Sequence, residues 1–104
     1  MSLIVSEYAQ ADILATARWY DRQPGRYGDA FNDEVLVAIR RISGSSRLYP
    51  LAEDGIPGRE IREYLIDRFQ QRVIYEIKGD DVLVVAVVHA SRREGAWHRK
   101  LPST

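Results

Sequence analysis

The chain has no cysteine and only two lysines, Lys78 and Lys100. Without cysteine there is no disulfide framework and no thiolate metal site. Such a chain suits a reducing compartment. The two histidines, His89 and His98, share no ligand-like spacing, so neither a metal nor a cofactor is expected. No sign of charge dominates, since fifteen basic residues face fifteen acidic ones. A neutral chain is a poor candidate for non-specific nucleic-acid binding, which rests on neutralising phosphates. The longest apolar run, 82–88, is far too short for a membrane-spanning helix. No basic segment followed by a long apolar stretch opens the chain, so no signal peptide is read. A cytoplasmic protein with no membrane partner is expected. The phosphate-binding loop, the dinucleotide fingerprint, His-Glu-x-x-His and Gly-x-Ser-x-Gly are all missing, and with them the common nucleotide, zinc-protease and serine-hydrolase chemistries.

What is present describes one domain over residues 1–104. A composition of 45% hydrophobic and 29% charged residues is ordinary for a folded chain of this length. Residues 2–5 form a short apolar strand. Ser6 is a good helix N-cap, and Ala9, Ile13, Ala17 and Tyr20 then recur on one helical face. Pro24-Gly25 ends this helix. A second helix over about 27–45 carries the stripe Phe31, Val35, Ala38 and Ile42, widened by Leu36 and Ile39. The short connection makes the pair an antiparallel hairpin. Residues 47–58 hold two prolines and two glycines and form a loop. Strands follow at 60–66, 71–78 and 82–89, the last two joined by a tight Gly79-Asp80 turn. The 82–88 run is apolar at every position, which suits a strand covered on both faces or packed under the helices. The order β-α-α-β-β-β predicts an α+β fold, a helical hairpin on a mostly antiparallel sheet.

The stretch from Arg72 to Trp97 holds most of the chemistry-bearing residues. Between 89 and 100, Arg92, Arg93, Arg99 and Lys100 face only Glu94. A polar, cationic cluster thus sits where a strand stops, a common place for a site. His89 is either an acid/base or phosphate-binding group or a histidine bonded to backbone. Arg92 and Arg93 either grip an anion or are solvated charges. Arg62 and Arg72 lie on neighbouring strands. If they share a face with Arg68 they need an anion or carboxylates, with Glu63 and Glu76 the candidates. Trp97 either stacks at an interface or folds the tail back onto the sheet.

The chain resembles the RelE/ParE superfamily of toxins from toxin–antitoxin pairs, often labelled plasmid stabilisation proteins. The resemblance rests on Ala9-x-x-Asp12-Ile13 and Tyr20, then Phe31, Ile42 and Pro50. It continues through Ile61-Arg62, Phe69, Val73-Ile74-Tyr75, the 82–89 strand, Arg92-Arg93 and Trp97. It implies a bacterial type II toxin neutralised by a cognate antitoxin, with a toxin–antitoxin hetero-oligomer among the expected assemblies. Trp19, Leu48 and Ile56 are the apolar residues assigned to the antitoxin. The superfamily has a branch that cleaves messenger RNA on the ribosome and a ParE-like branch that inhibits DNA gyrase by binding. Zero net charge, few lysines and no tyrosine beyond Tyr75 favour the ParE-like branch. In that reading no catalytic residue is expected, and Arg62, Arg72, His89, Arg92, Arg93 and Trp97 form the target-binding surface. The alternatives are a ribosome-dependent endoribonuclease using Glu63, Arg72, His89 and Arg92, and a non-toxic antitoxin-binding module.

Overall fold

The computed structural model describes residues 2–92 and 94–102. Strand β1 (Leu3–Val5) leads into helix α1 (Glu7–Asp21), helix α2 (Gly28–Gly44), and strands β2 (Glu60–Ile66), β3 (Gln71–Lys78) and β4 (Asp81–His89). The four strands form one sheet in the order β1-β4-β3-β2. Only the β1–β4 pair is parallel. The expected α+β order is therefore the observed one. Ser6 caps α1 as its sequence position suggests, its hydroxyl accepting from the Ala9 N–H at 3.1 Å. Gly79 opens the β3–β4 turn with φ +60°, the left-handed value that a two-residue hairpin requires at its first central position.

Both faces of the sheet are covered. On one face the helical hairpin supplies Ala9, Ala17, Phe31, Val35, Ala38 and Ile42. Leu36, expected to widen this stripe, is instead 47% exposed, because it lies outside the arc that the sheet can cover. The opposite face carries a second core of Ala52, Ile61, Ile74, Val85, Ala86, Val88 and Trp97. It is closed by the loop before β2 and by the C-terminal tail after β4. A bulge in β4 makes this division possible. Tyr75 pairs with Val84 and Ile74 with Ala86, leaving Val85 without a partner. The extra residue lets Val85 and Ala86 both join the second core while Val84 and Val87 face the helices. This accounts for the uninterrupted apolar run: β4 has no solvent side.

Because β1 is short, the outer edge of β4 is open beyond Val84. Side chains close it. Ser6 Oγ donates to the Val85 carbonyl at 3.1 Å, and the Val87 N–H donates to Asp12 Oδ2 at 2.9 Å. Lys100 Nζ, from the tail, donates to both Asp12 oxygens at 2.8 and 2.9 Å. One carboxylate thus ties α1, the edge of the sheet and the tail together.

Trp97 is 1% exposed and is among the largest side chains of the second core. Trp97→Ala should cost about 3–5 kcal/mol in urea unfolding, the range for deleting a buried aromatic ring. A loss below about 1 kcal/mol would show that the tail is dispensable for this core.

Candidate functional site

The tail is pinned by Asp54, a loop residue whose side chain is 4% exposed. Arg72 Nη1 and Nη2 donate one bond to each carboxylate oxygen, both at 3.0 Å. Asp54 Oδ2 also accepts from the Gly95 N–H at 3.0 Å and from Trp97 Nε1 at 2.8 Å. His98 Nε2 meets the Asp54 carbonyl. Burial alone would push the Asp54 carboxyl upward. The bonds from Arg72, Gly95 and Trp97 outweigh it and hold the group well below the usual carboxylate range. Glu63 stands 3.8 Å from Arg72 and completes a mixed-charge hollow with Glu53, Glu94 and Arg92. Burial shifts Glu63 upward, with Asp54 and Glu53 adding to the shift and Arg72 opposing it.

The sequence-derived site residues do not all converge. Arg62 lies opposite Tyr75, on the helix face, where it bonds Glu60 at 3.0 Å and donates to the Tyr49 carbonyl at 2.6 Å. Arg72 lies opposite Leu65 and Val88, on the tail face. The two arginines therefore do not share a face; Arg62 pairs with Glu60, and Arg72 with Asp54 and, at 3.8 Å, with the expected Glu63. Glu76 instead holds Arg59, with bonds of 2.6 and 2.7 Å. Trp97 is buried, so in this fold it shapes the tail and offers no surface to a target. Arg93 lies outside the described residues.

His89 sits at the end of β4, opposite Gln71, and turns toward the helices. With Gln71, Trp19 and Tyr20 it lines a hollow between the end of α1 and the sheet. Its Nδ1 accepts from the Ser91 N–H at 3.1 Å and lies 2.7 Å from the Ser91 hydroxyl. Arg92 is exposed at the tip and borders both this hollow and the Arg72 hollow on the other face. Among the described residues it forms no ion pair.

The apolar residues assigned to an antitoxin are also spread out. Trp19 is 50% exposed at the end of α1, and Leu48 is 74% exposed beyond the far end of α2. Ile56 is half-buried against the second core on the other side of the sheet. The three thus lie at separate places on the molecule. Other exposed apolar side chains of the hairpin are Tyr8 and Leu14 on α1 and Leu36 and Val37 on α2.

Sequence reasoning missed Asp54 altogether. Its Asp-Gly setting in a proline- and glycine-rich loop looks like an ordinary turn. Asp12 and Lys100 were visible only as a position of the family pattern and as a tail charge.

Residues 3–94 match the family described as the ParE toxin of type II toxin–antitoxin system, parDE. The chain belongs to this family. Among solved structures it is similar to one described as the chromosomal ParDE TA system from P. aeruginosa. That chain is 16% identical, with a TM-score of 0.74, over 88% of this chain and 97% of the other. At that identity the likeness speaks for the fold. No curated protein matches the chain. The sequence is thus that of a type II toxin–antitoxin toxin of the ParE branch.

Asp54 provides a direct test of the tail lock. Asp54→Ala leaves the Trp97 indole unpaired and Arg72 with only the more distant Glu63, and should cost about 3–5 kcal/mol, as expected for breaking a buried pair. The folded carboxyl titrates below its unfolded value, so its contribution is fully present above the unfolded pKa and is lost as pH falls through the folded one. In urea titrations, the stability gap between the natural protein and Asp54→Asn should hold at neutral pH and shrink below about pH 4. A gap that widens on acidification contradicts the lock.

Proposed function

We propose that this toxin acts by binding DNA gyrase and blocking it, and that a cognate antitoxin neutralises it. The observation that carries the reading is the division of the polar residues between the two faces of the sheet. Glu63 and Arg72 lie under the tail, with Arg72 engaged by Asp54, while His89 faces the helices. A nuclease using this set would need an acid, a base and a charge stabiliser around one scissile phosphate. A binder needs only an accessible surface. Arg92, exposed at the tip and without an ion pair among the described residues, is the central target contact, with His89 beside it and Arg93 next in sequence. Zero net charge also favours a protein target over a ribosomal one.

The antitoxin would cover the exposed apolar residues of the hairpin, chiefly Leu14, Trp19, Leu36 and Val37. An amphipathic helix laid on such a surface is a common mode for a segment that folds on binding. Leu36→Asp should lower antitoxin affinity about tenfold or more while leaving the fold intact, since Leu36 contributes little to the core. Unchanged affinity in calorimetry would move the antitoxin elsewhere.

The activity test pairs two assays, gyrase supercoiling and cleavage of ribosome-bound message. Inhibited supercoiling with intact message is expected. Arg92→Ala with Arg93→Ala should weaken the inhibition by about tenfold or more, as for loss of charged anchors at an interface. Cut message with normal supercoiling would overturn the proposal in favour of the nuclease.

A further inference from the structure

At the end of the molecule where α1 stops, two hollows of about 380 and 410 Å³ adjoin, sharing Tyr20 and His89. Their lining is cationic and aromatic. Neither contains a carboxylate, although the chain has as many acidic residues as basic ones. The Arg72 hollow nearby contains four, namely Glu53, Asp54, Glu63 and Glu94. In place of acids, the shared end presents Arg68 and Arg92 beside aromatic rings. Arg68 lies over the rings of Tyr27 and Phe69, at 5.7 and 5.1 Å from their centroids. It is thus held by aromatic faces, and among the described residues neither Arg68 nor Arg92 forms an ion pair. Trp19 and Tyr27 are half exposed, at 50% and 46%. Trp19 and Tyr20 form a T-shaped pair with centroids 5.1 Å apart.

A half-exposed indole beside two guanidinium groups without carboxylate partners suits a ligand of flat rings joined by anions. We propose that this end is a binding site for a short single-stranded nucleic-acid segment. A base stacks on Trp19, and the flanking phosphates meet Arg92 and Arg68. The neutral chain as a whole gives no long-range attraction, so the site works by local contact and the affinity is modest. The inference does not depend on gyrase being the target.

The salt dependence follows from the count of cations. Each phosphate engaged on a single strand contributes a slope of about −0.7 in log K against log salt, hence about −1.4 for Arg68 and Arg92 together.

The test titrates the full chain with short oligothymidylate and follows tryptophan fluorescence. Trp97 is buried, so Trp19 is the reporter. Quenching with a salt slope of about −1.4 is expected, falling to about −0.7 for Arg92→Ala. With a fluorescent oligonucleotide and anisotropy as readout, Trp19→Ala should weaken binding roughly five- to a hundredfold, as for loss of one stacked base. Arg47→Ala is the control and should bind normally, because Arg47 pairs with Glu60 and approaches Gly79 at the opposite end of the sheet. Circular dichroism checks that each variant is folded. If Trp19→Ala fails to fold, Arg68→Ala and Arg92→Ala, both at exposed positions, carry the test. Absence of oligonucleotide binding overturns the proposal. So does equal quenching by polyglutamate, which would assign the surface to an acidic protein segment.

Discussion

The carboxylate of Asp54 is the contact on which the second half of the structure depends. The tail after β4 has little regular structure of its own, only a short 3-10 turn at His98–Lys100. It is held over the sheet because one buried carboxylate accepts from a strand arginine, a tail backbone N–H and the tail indole. Such a group is costly to bury alone and is stable only when its lone pairs are filled. Once filled, it brings the loop before β2, the middle strand β3 and the tail into one unit. Trp97 then closes a second apolar core that a bare sheet would leave open to water. Asp12 plays a parallel part at the other edge, where it caps β4 and anchors Lys100.

This arrangement assigns different roles to residues that are close in sequence. Gln71 and Arg72 are neighbours, yet they face opposite sides of the sheet, as do Val88 and His89. Strand geometry imposes that separation, since successive side chains alternate. The cationic end of the chain is therefore not a single cluster. Arg72 supports the tail lock, Lys100 anchors the tail, and Arg92 stands free at the tip between the two faces. In this ParE-family toxin, Arg92 and His89 sit at the end of a strand covered on both faces.

The local elements were legible from periodicity. The helical stripes, the capping serine, the hairpin turn and the three C-terminal strands all follow from spacing that a 3.6- or 2-residue repeat makes visible. The stripe at Leu36 failed because a helix buries only the arc that its partner reaches, and spacing alone does not give the width of that arc. The apolar run of β4 indicated either a strand covered on both faces or one under the helices. Only the tail packing decided between them. The candidate site was less legible. Arg72, His89 and Arg92 stood out as residue types, but their partners did not, because Asp54 lies 18 positions from Arg72 and 43 from Trp97.

The sequence by itself determined the element order, the helix faces, the family and the position of a cationic strand end, since each is set by local spacing or by an ordered pattern of residues. The tertiary structure alone decided which charges are paired, which aromatic residue is buried and which side of the sheet each polar group serves. Those outcomes depend on contacts between distant segments, and on a one-residue bulge at Val85 that shifts the facing of every residue after it.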